Sequence, residues 1–235
     1  MENQKHLNVT IMDKGLSGST LKIIAIITML IDHVGAGIIA QLPTFSVSNT
    51  DLMLLYFIMR KVGRVAFPIF CFLLVEGFLH TRNVKKYALR LFIFAIISEI
   101  PFDLAFFGQI FETSHQNVFF TLFIGLLTLT AIQYFDNNKF IKLISMFAGI
   151  CIAQFLATDY GGFGVVFIVL LYMFHDNIKL RNIICSVAIL WEVTAPIAFI
   201  PITLYNGSRG IKMKYFFYVF YPIHLLMIYV IAQFI

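Results

Sequence analysis

The chain has 235 residues, of which 60% are hydrophobic and only 12% are charged. Soluble domains carry about 25% charged residues, so this composition and the mean hydropathy of +0.89 exclude an ordinary soluble domain and indicate a polytopic membrane protein. The net charge of +5 comes from Lys and Arg clustered in short loops, as in membrane proteins, and we therefore expect no nucleic-acid partner.

The apolar segments predict an all-α protein with about eight transmembrane helices of about 20 residues each. They are expected near 21–41, 62–80, 86–107, 117–135, 140–157, 162–175, 183–204 and 214–234. The stretch 42–60 is expected to form a loop and an interfacial helix. A polar N-terminal segment, residues 1–20, precedes one undivided membrane domain, residues 21–235.

The short loops predict which end of the bundle faces the cytoplasm. Lys and Arg lie in the loops 81–90, 136–142 and 176–181, whereas the loops 108–116 and 158–161 have none. The positive-inside rule therefore puts the N-terminus and the three basic loops inside.

The last loop, near 206–214, breaks this alternation because it is also basic. One explanation is that the segment 183–204, which contains Pro196 and Pro201, is broken or re-entrant and returns the loop to the cytoplasm. The other is that the helix count is wrong elsewhere.

The first predicted helix carries Asp32 and His33 in the middle of an apolar run. An Asp at the bilayer centre costs roughly 2.5–3.5 kcal/mol, so we interpret this pair as functional. Lys22 begins the same helix, about three turns before His33. Both side chains should therefore point the same way, about 16 Å apart along the axis.

Arg60 and Arg64 are four residues apart and share a helix face. At the predicted outer end, where positive charge is disfavoured, they point to a structural or substrate role. Glu99 and Asp103 also share a face, around the helix-kinking Pro101. Two acids inside a membrane need donor or cationic partners, and we expect Arg64 to be that partner.

His224 lies in the last helix, and its depth should match that of His33 if both helices start on one side. Arg209, Lys212 and Lys214 precede that helix and would suit a phosphate group, although they also fit an ordinary basic membrane flank. Four further polar residues have no informative spacing: Asn117, Gln154, Asp159 and Glu192.

Four blocks of the sequence resemble the TraX family of bacterial membrane proteins, which is associated with N-terminal acetylation of conjugative pilin. The blocks are LKIIAIITMLIDHVG, GRVAFPIFCFLLVEGFLHTRN, YALRLFIFAIISEIPFDLAF and NGSRGIKMKYFFYVFYPIHLL, and the resemblance spans roughly residues 20–235. The Lys22-x10-His33 spacing also resembles the Arg/Lys-x10-His signature of the wider transmembrane acyltransferase superfamily.

The resemblance implies a multi-pass protein of the bacterial inner membrane that uses acetyl-CoA as acyl donor, with no metal. His33 would act as the base and Asp32 or another acid would orient it, while Arg64 or His224 would stabilise the oxyanion. Glu99 and Asp103 are further catalytic candidates. The residues that would bind CoA are Lys22, Arg209, Lys212 and Lys214. Besides the lipid bilayer, the partner would be an acyl acceptor, a peptide, pilin or glycan.

Two other function classes fit the same polar residues. A proton-coupled transporter also needs intramembrane Asp, Glu and His, although the internal repeats common in transporters are absent from this sequence. A non-catalytic membrane assembly factor would use the acids and cations only to hold its helices together. Acyl-CoA binding separates the acyltransferase from both.

Overall fold

The computed structural model describes residues 15–46, 48–212 and 214–235, without the side chain of Lys214. In this part of the chain the predicted all-α fold is confirmed; most of the polar N-terminal segment, residues 1–14, lies outside the described residues. The α-helices are α1 Gly18–Gly37, α2 Thr50–Gly63, α3 Ala66–His80, α4 Val84–Phe107, α5 Val118–Tyr134, α6 Lys139–Phe155, α7 Gly161–Met173, α8 Ile178–Ala188, α9 Phe199–Thr203 and α10 Lys214–Ala232.

Several helices are long and apolar enough to cross a bilayer, as the composition predicts. In the described ranges three segments meet both criteria: Gly18–Gln41, Thr50–His80 and Tyr215–Ala232. Helices α5 and α7 are apolar but shorter. Membrane-spanning character therefore agrees with the prediction, whereas eight full-length spans are not confirmed.

The segment 42–60 differs from its prediction as a loop and an interfacial helix. After the loop, α2 packs along α1, with Gly63 against Asp32 and Met59 against Gly35. Only two residues separate α2 from α3, so the pair forms a single apolar span. A helix at the membrane surface needs one polar face. Helix α2 is apolar on most of its surface and packs against α1, so it does not fit that position.

The predicted break near 183–204 is confirmed. Two 3-10 turns, Leu190–Glu192 and Ala195–Ala198, separate α8 from α9. His175 before α8 and Tyr205 after α9 are both hydrogen-bonded to Glu76, at the end of α3. The segment therefore leaves and returns at the same end of the bundle, which favours the re-entrant explanation of the basic last loop.

The last loop folds onto the start of α1. The amide of Gly18 donates to the carbonyl of Ser208 at 2.8 Å, and the amide of Ser19 donates to the carbonyl of Arg209 at 3.1 Å. Gly210 has a φ of +69°, and a Cβ there would lie 2.1 Å from the Ser19 hydroxyl oxygen. Arg209 and Lys212 therefore lie at the same end of the bundle as Lys22.

The turn after α5 lies at this end too. Helices α5 and α7 start together, where Gln116 and Thr158 form an isolated bridge. Helix α7 ends beside Glu76, to which His175 is bonded, so the end of α5 lies on the same side. All the predicted basic loops therefore share one end of the bundle, which we call the basic end.

Candidate active site

Two histidines from the first and last helices meet in the middle of the bundle. The Nδ1 atom of His33 lies 2.7 Å from Nε2 of His224, so the predicted match in depth is confirmed. The Nδ1 atom of His224 lies 2.8 Å from the carbonyl oxygen of Phe220. Because a carbonyl can only accept, His224 donates from Nδ1 and accepts at Nε2. His33 therefore donates from Nδ1, and its Nε2 carries a lone pair.

Lys22 and His33 face the same helix, as their spacing predicts. The Nζ atom of Lys22 lies 5.2 Å from the centre of the Phe217 ring, and Phe217 and His224 are two turns apart on α10. The His33 ring also packs edge-on against Phe106, with centroids 5.2 Å apart. The contact with Phe106 and the hydrogen bond to His224 fix the orientation of the His33 ring.

Asp32 is paired with a cation rather than with its histidine neighbour. Its Oδ2 atom lies 2.6 Å from Nη1 of Arg60, and its Oδ1 atom lies against Gly63. Successive residues of a helix diverge by about 100°, which turns this carboxylate away from His33. The structure therefore corrects the expected orienting role of Asp32, because His224 holds His33.

Arg64 is paired with an acid that the sequence did not single out. Its Nε atom lies 3.0 Å from Oε2 of Glu192, and its side chain is hydrogen-bonded to Tyr160. The expected pairing of Arg64 with Glu99 and Asp103 is wrong, because the re-entrant segment brings Glu192 to the α2–α3 junction.

Glu99 and Asp103 hold the loop between α4 and α5. Oε2 of Glu99 accepts from the backbone amide of Asn117 at 3.3 Å and also from its side-chain amide. Oδ2 of Asp103 accepts from the amide of Glu112 at 2.9 Å. The two acids share a face as predicted, but neither lines the cavity beside His33.

A cavity of about 210 Å³ lies beside the His33 ring. Pockets for drug-sized ligands are usually about 300–1,000 Å³, so this cavity is too small to enclose a whole ligand of that size. Phe and other apolar side chains form much of its wall. Its polar and Tyr lining consists of Asp32, His33, Arg60, Arg64, His115, Asp159, Tyr160 and Tyr221.

His115 and Asp159 both line the cavity. Sequence reasoning missed His115 and assigned no role to Asp159. The Nε2 atom of His115 lies 3.7 Å from Oδ1 of Asp159, and this carboxylate raises the pKa of His115 above its usual value. Both residues lie in loops, where no helical periodicity can align them. The available signal was that His115 and Asp159 each lie in a loop without Lys or Arg.

The predicted phosphate-binding residues gather at the basic end, but the helix terminus there is occupied. Four amides at the start of α1 bond to Ser17 or to the last loop, so they are not free to bind an anion. Lys22 and Arg209 lie close enough to repel each other, and Lys212 is exposed. The side chain of Lys214 lies outside the described residues.

Comparison with known proteins identifies the family. The family model described as "TraX protein" matches residues 17–232. The chain is 31% identical over 245 residues to "Probable fimbrial assembly protein FimC, serogroup H1" of Dichelobacter nodosus, covering 89% of this chain and 93% of that protein. It is 26% identical to an uncharacterized protein of Rickettsia prowazekii, covering 80% of this chain and 69% of that protein. No solved structure is significantly similar. The chain belongs to the TraX family of membrane proteins.

Proposed function

We propose that this chain is an integral membrane acyltransferase that moves an acetyl group from acetyl-CoA to an amine or hydroxyl group. The observation that carries the proposal is the lone pair on Nε2 of His33. His224 holds His33 in this tautomer through a 2.7 Å hydrogen bond, as a third group orients the base in known catalytic triads. The base stands beside a cavity that also contains Arg60 and Arg64.

The reaction needs a proton acceptor and a site for developing negative charge. Nε2 of His33 takes the proton from the acceptor nitrogen or oxygen as that atom attacks the thioester carbon. Arg64, or Arg60, stabilises the oxyanion of the tetrahedral intermediate. The C–S bond then breaks, and its electron pair leaves with the sulfur of CoA.

The basic end supplies the binding site for the CoA phosphates. Lys22, Arg209, Lys212 and Lys214 provide the cations, and Lys22 precedes His33 by about 16 Å of helix. Since helix α1 offers no free amides there, side chains rather than the helix terminus bind the phosphates. The positive-inside rule puts this end in the cytoplasm of a bacterial inner membrane, where acetyl-CoA is available.

The proposed acceptor is a pilin-type peptide, with a glycan as the other candidate. A relative in Dichelobacter nodosus is named as a fimbrial assembly protein, and the family is associated with pilin acetylation. An acceptor of this kind would reach His33 through the cavity, whose wall includes residues of the loops 108–117 and 156–160.

The test uses purified protein in detergent with radiolabelled acetyl-CoA and a synthetic peptide of a pilin N-terminus. We expect Lys22→Ala to weaken acetyl-CoA binding at least several-fold, because it removes one phosphate-binding charge. His33→Ala should still bind acetyl-CoA but lose labelled product. His80→Ala is the matched control, because the His80 side chain is 73% exposed and lies outside the cavity.

The alternative functions predict different outcomes. A non-catalytic assembly factor is favoured by Glu99 and Asp103, which hold a loop, and it would bind no acyl-CoA. A proton-coupled transporter would use the His33–His224 pair to move protons, and vesicles containing it would acidify with solute flux. Absence of acetyl-CoA binding by the folded wild-type protein would overturn the acyltransferase proposal.

A further inference from the structure

A second histidine, His115, lies in the wall of the cavity and has no role in the reaction described above. Its Nε2 atom is 3.7 Å from Oδ1 of Asp159, and its side chain is 44% exposed. The ring stacks on Phe102, with centroids 6.1 Å apart. His115 therefore combines a carboxylate partner, contact with the cavity and access to solvent, which a proton-transfer group needs.

The loop that carries His115 is held on both sides of this residue. Asp103 accepts from the amide of Glu112, and Glu99 accepts from Asn117. The amide of Gln116 donates to the carbonyl of Ala157 at 3.0 Å, and the amide of Asp159 donates to the carbonyl of Gln116 at 2.8 Å. These bonds join the loop of His115 directly to the loop of Asp159, so the geometry of the pair is built into the fold.

The aromatic face of α4 connects His115 with His33. Phe106 packs against His33 at 5.2 Å, Phe102 packs against Phe106 at 5.2 Å, and His115 stacks on Phe102. Phe102 and Phe106 are one helical turn apart, so the two imidazoles contact successive turns of α4, and both line the same cavity.

The two histidines have opposite electrostatic surroundings. His33 lines the cavity together with Arg60 and Arg64, two cations that favour a neutral His33 ring before the reaction. His115 faces Asp159 from one side and Glu99 of α4 from another, and its own loop carries Glu112. Phe102 of α4, on which the His115 ring stacks, is uncharged. When two titratable groups of one site have such different surroundings, the group kept neutral can act as the base and the group kept protonated can act as the acid.

We propose that His115, paired with Asp159, is the general acid of this site and protonates the sulfur of the leaving CoA. The inference rests on the proposed acyltransferase function. As the C–S bond breaks, its electron pair stays on sulfur, which takes the proton from the His115 imidazolium. His33 meanwhile holds the proton from the acceptor. The site resets when His33 gives a proton to water and His115, which is open to solvent, takes one from water.

The first experiment measures kcat and KM against pH for the wild type, His115→Gln, Asp159→Asn and the control His80→Gln. We expect wild-type kcat to fall on the alkaline side, because raising the pH through the elevated pKa of His115 removes the donor proton. His115→Gln should lose at least about 10²-fold in kcat and lose the alkaline fall, with little change in KM for acetyl-CoA. Asp159→Asn should move the alkaline fall to lower pH.

The second experiment compares acetyl-CoA with an aryl acetyl thioester. An aryl thiolate is a weaker base and leaves without a proton donor, so this substrate should restore most of the rate to His115→Gln but not to His33→Ala. A residue that only supports the fold would give no such rescue.

The outcomes separate the two proposals. Absence of acetyl transfer by the wild-type protein would overturn the proposed function and this inference with it. Transfer by the wild type with an unchanged pH profile in His115→Gln would overturn the inference alone. If His115→Gln elutes as an aggregate in gel filtration, the Asp159→Asn profile decides, and an unshifted alkaline fall there refutes the acid role.

Discussion

Replacement of Gly63 by Ala tests the close contact between α1 and α2 next to the site. A Cβ at this position would lie 2.1 Å from Cβ of Asp32 and 2.4 Å from its Cγ and Oδ1 atoms. Carbon atoms in contact are normally about 3.5–4.0 Å apart, so Gly63→Ala must push Asp32 away by more than about 1 Å. The helices have to separate where Asp32 binds Arg60.

The expected cost follows from two opposing terms. Overpacking of this kind costs about 1–3 kcal/mol, and the higher helix propensity of Ala returns at most about 1 kcal/mol. We therefore expect a net loss of about 1–2 kcal/mol in the free energy of unfolding, which lowers Tm by a few degrees in a chain of this length. Because His33 follows Asp32 in the same turn, turnover should also fall, by up to about 10²-fold for a displacement of about 1 Å.

The assay is thermal unfolding in detergent followed by circular dichroism, together with labelled acetyl transfer. Gly18→Ala is the matched control, because its added Cβ would meet its nearest neighbours, the carbonyl oxygens of Ser208 and Arg209, at an ordinary 3.5 Å. If Gly63→Ala kept the Tm and turnover of the wild type, the reasoning would be refuted, because Asp32 and Gly63 would then not be in close contact.

Two further substitutions probe the groups that orient the site. His224→Leu removes the acceptor for the Nδ1 hydrogen of His33 and should lower kcat by at least about 10²-fold. His224→Gln keeps an acceptor oxygen and should retain more activity. Equal rates for the two variants would show that the tautomer of His33 does not matter. Asn117 is fully buried and donates to the carbonyl of Ala95 at 2.8 Å, so Asn117→Ala should cost about 1–3 kcal/mol in unfolding free energy, and an unchanged Tm would contradict the loop-anchoring role of Glu99.

The sequence alone determined the class of protein and its local structure. High apolar content and long apolar runs are properties of segments, so they predicted a helical membrane protein without any knowledge of packing. The same local reasoning identified Asp32 and His33 as unusual in the first helix. It also gave a break in the segment 183–204 as one of two explanations of the basic last loop, because proline interrupts a helix wherever the helix lies.

The pairs of the site depended on tertiary structure. His33 and His224 are 191 residues apart, and their 2.7 Å contact depends on the rotation and register of α1 against α10. The sequence predicted that His33 and His224 lie at one depth in the membrane, but depth does not determine whether their two side chains face each other. In the same way, Arg60 pairs with Asp32, whereas Arg64, one turn further along and just beyond the end of α2, pairs with Glu192.

The largest errors of prediction occurred where the chain departs from regular helices. Loops have no periodicity, so nothing local aligned His115 with Asp159, and their ion pair exists because backbone hydrogen bonds join two distant loops. The partner of Arg64 was missed for the same reason, since Glu192 arrives on a re-entrant segment. Sequence therefore determined which residues are costly to bury, and only the packing of the helices and loops decided which of them share a cavity.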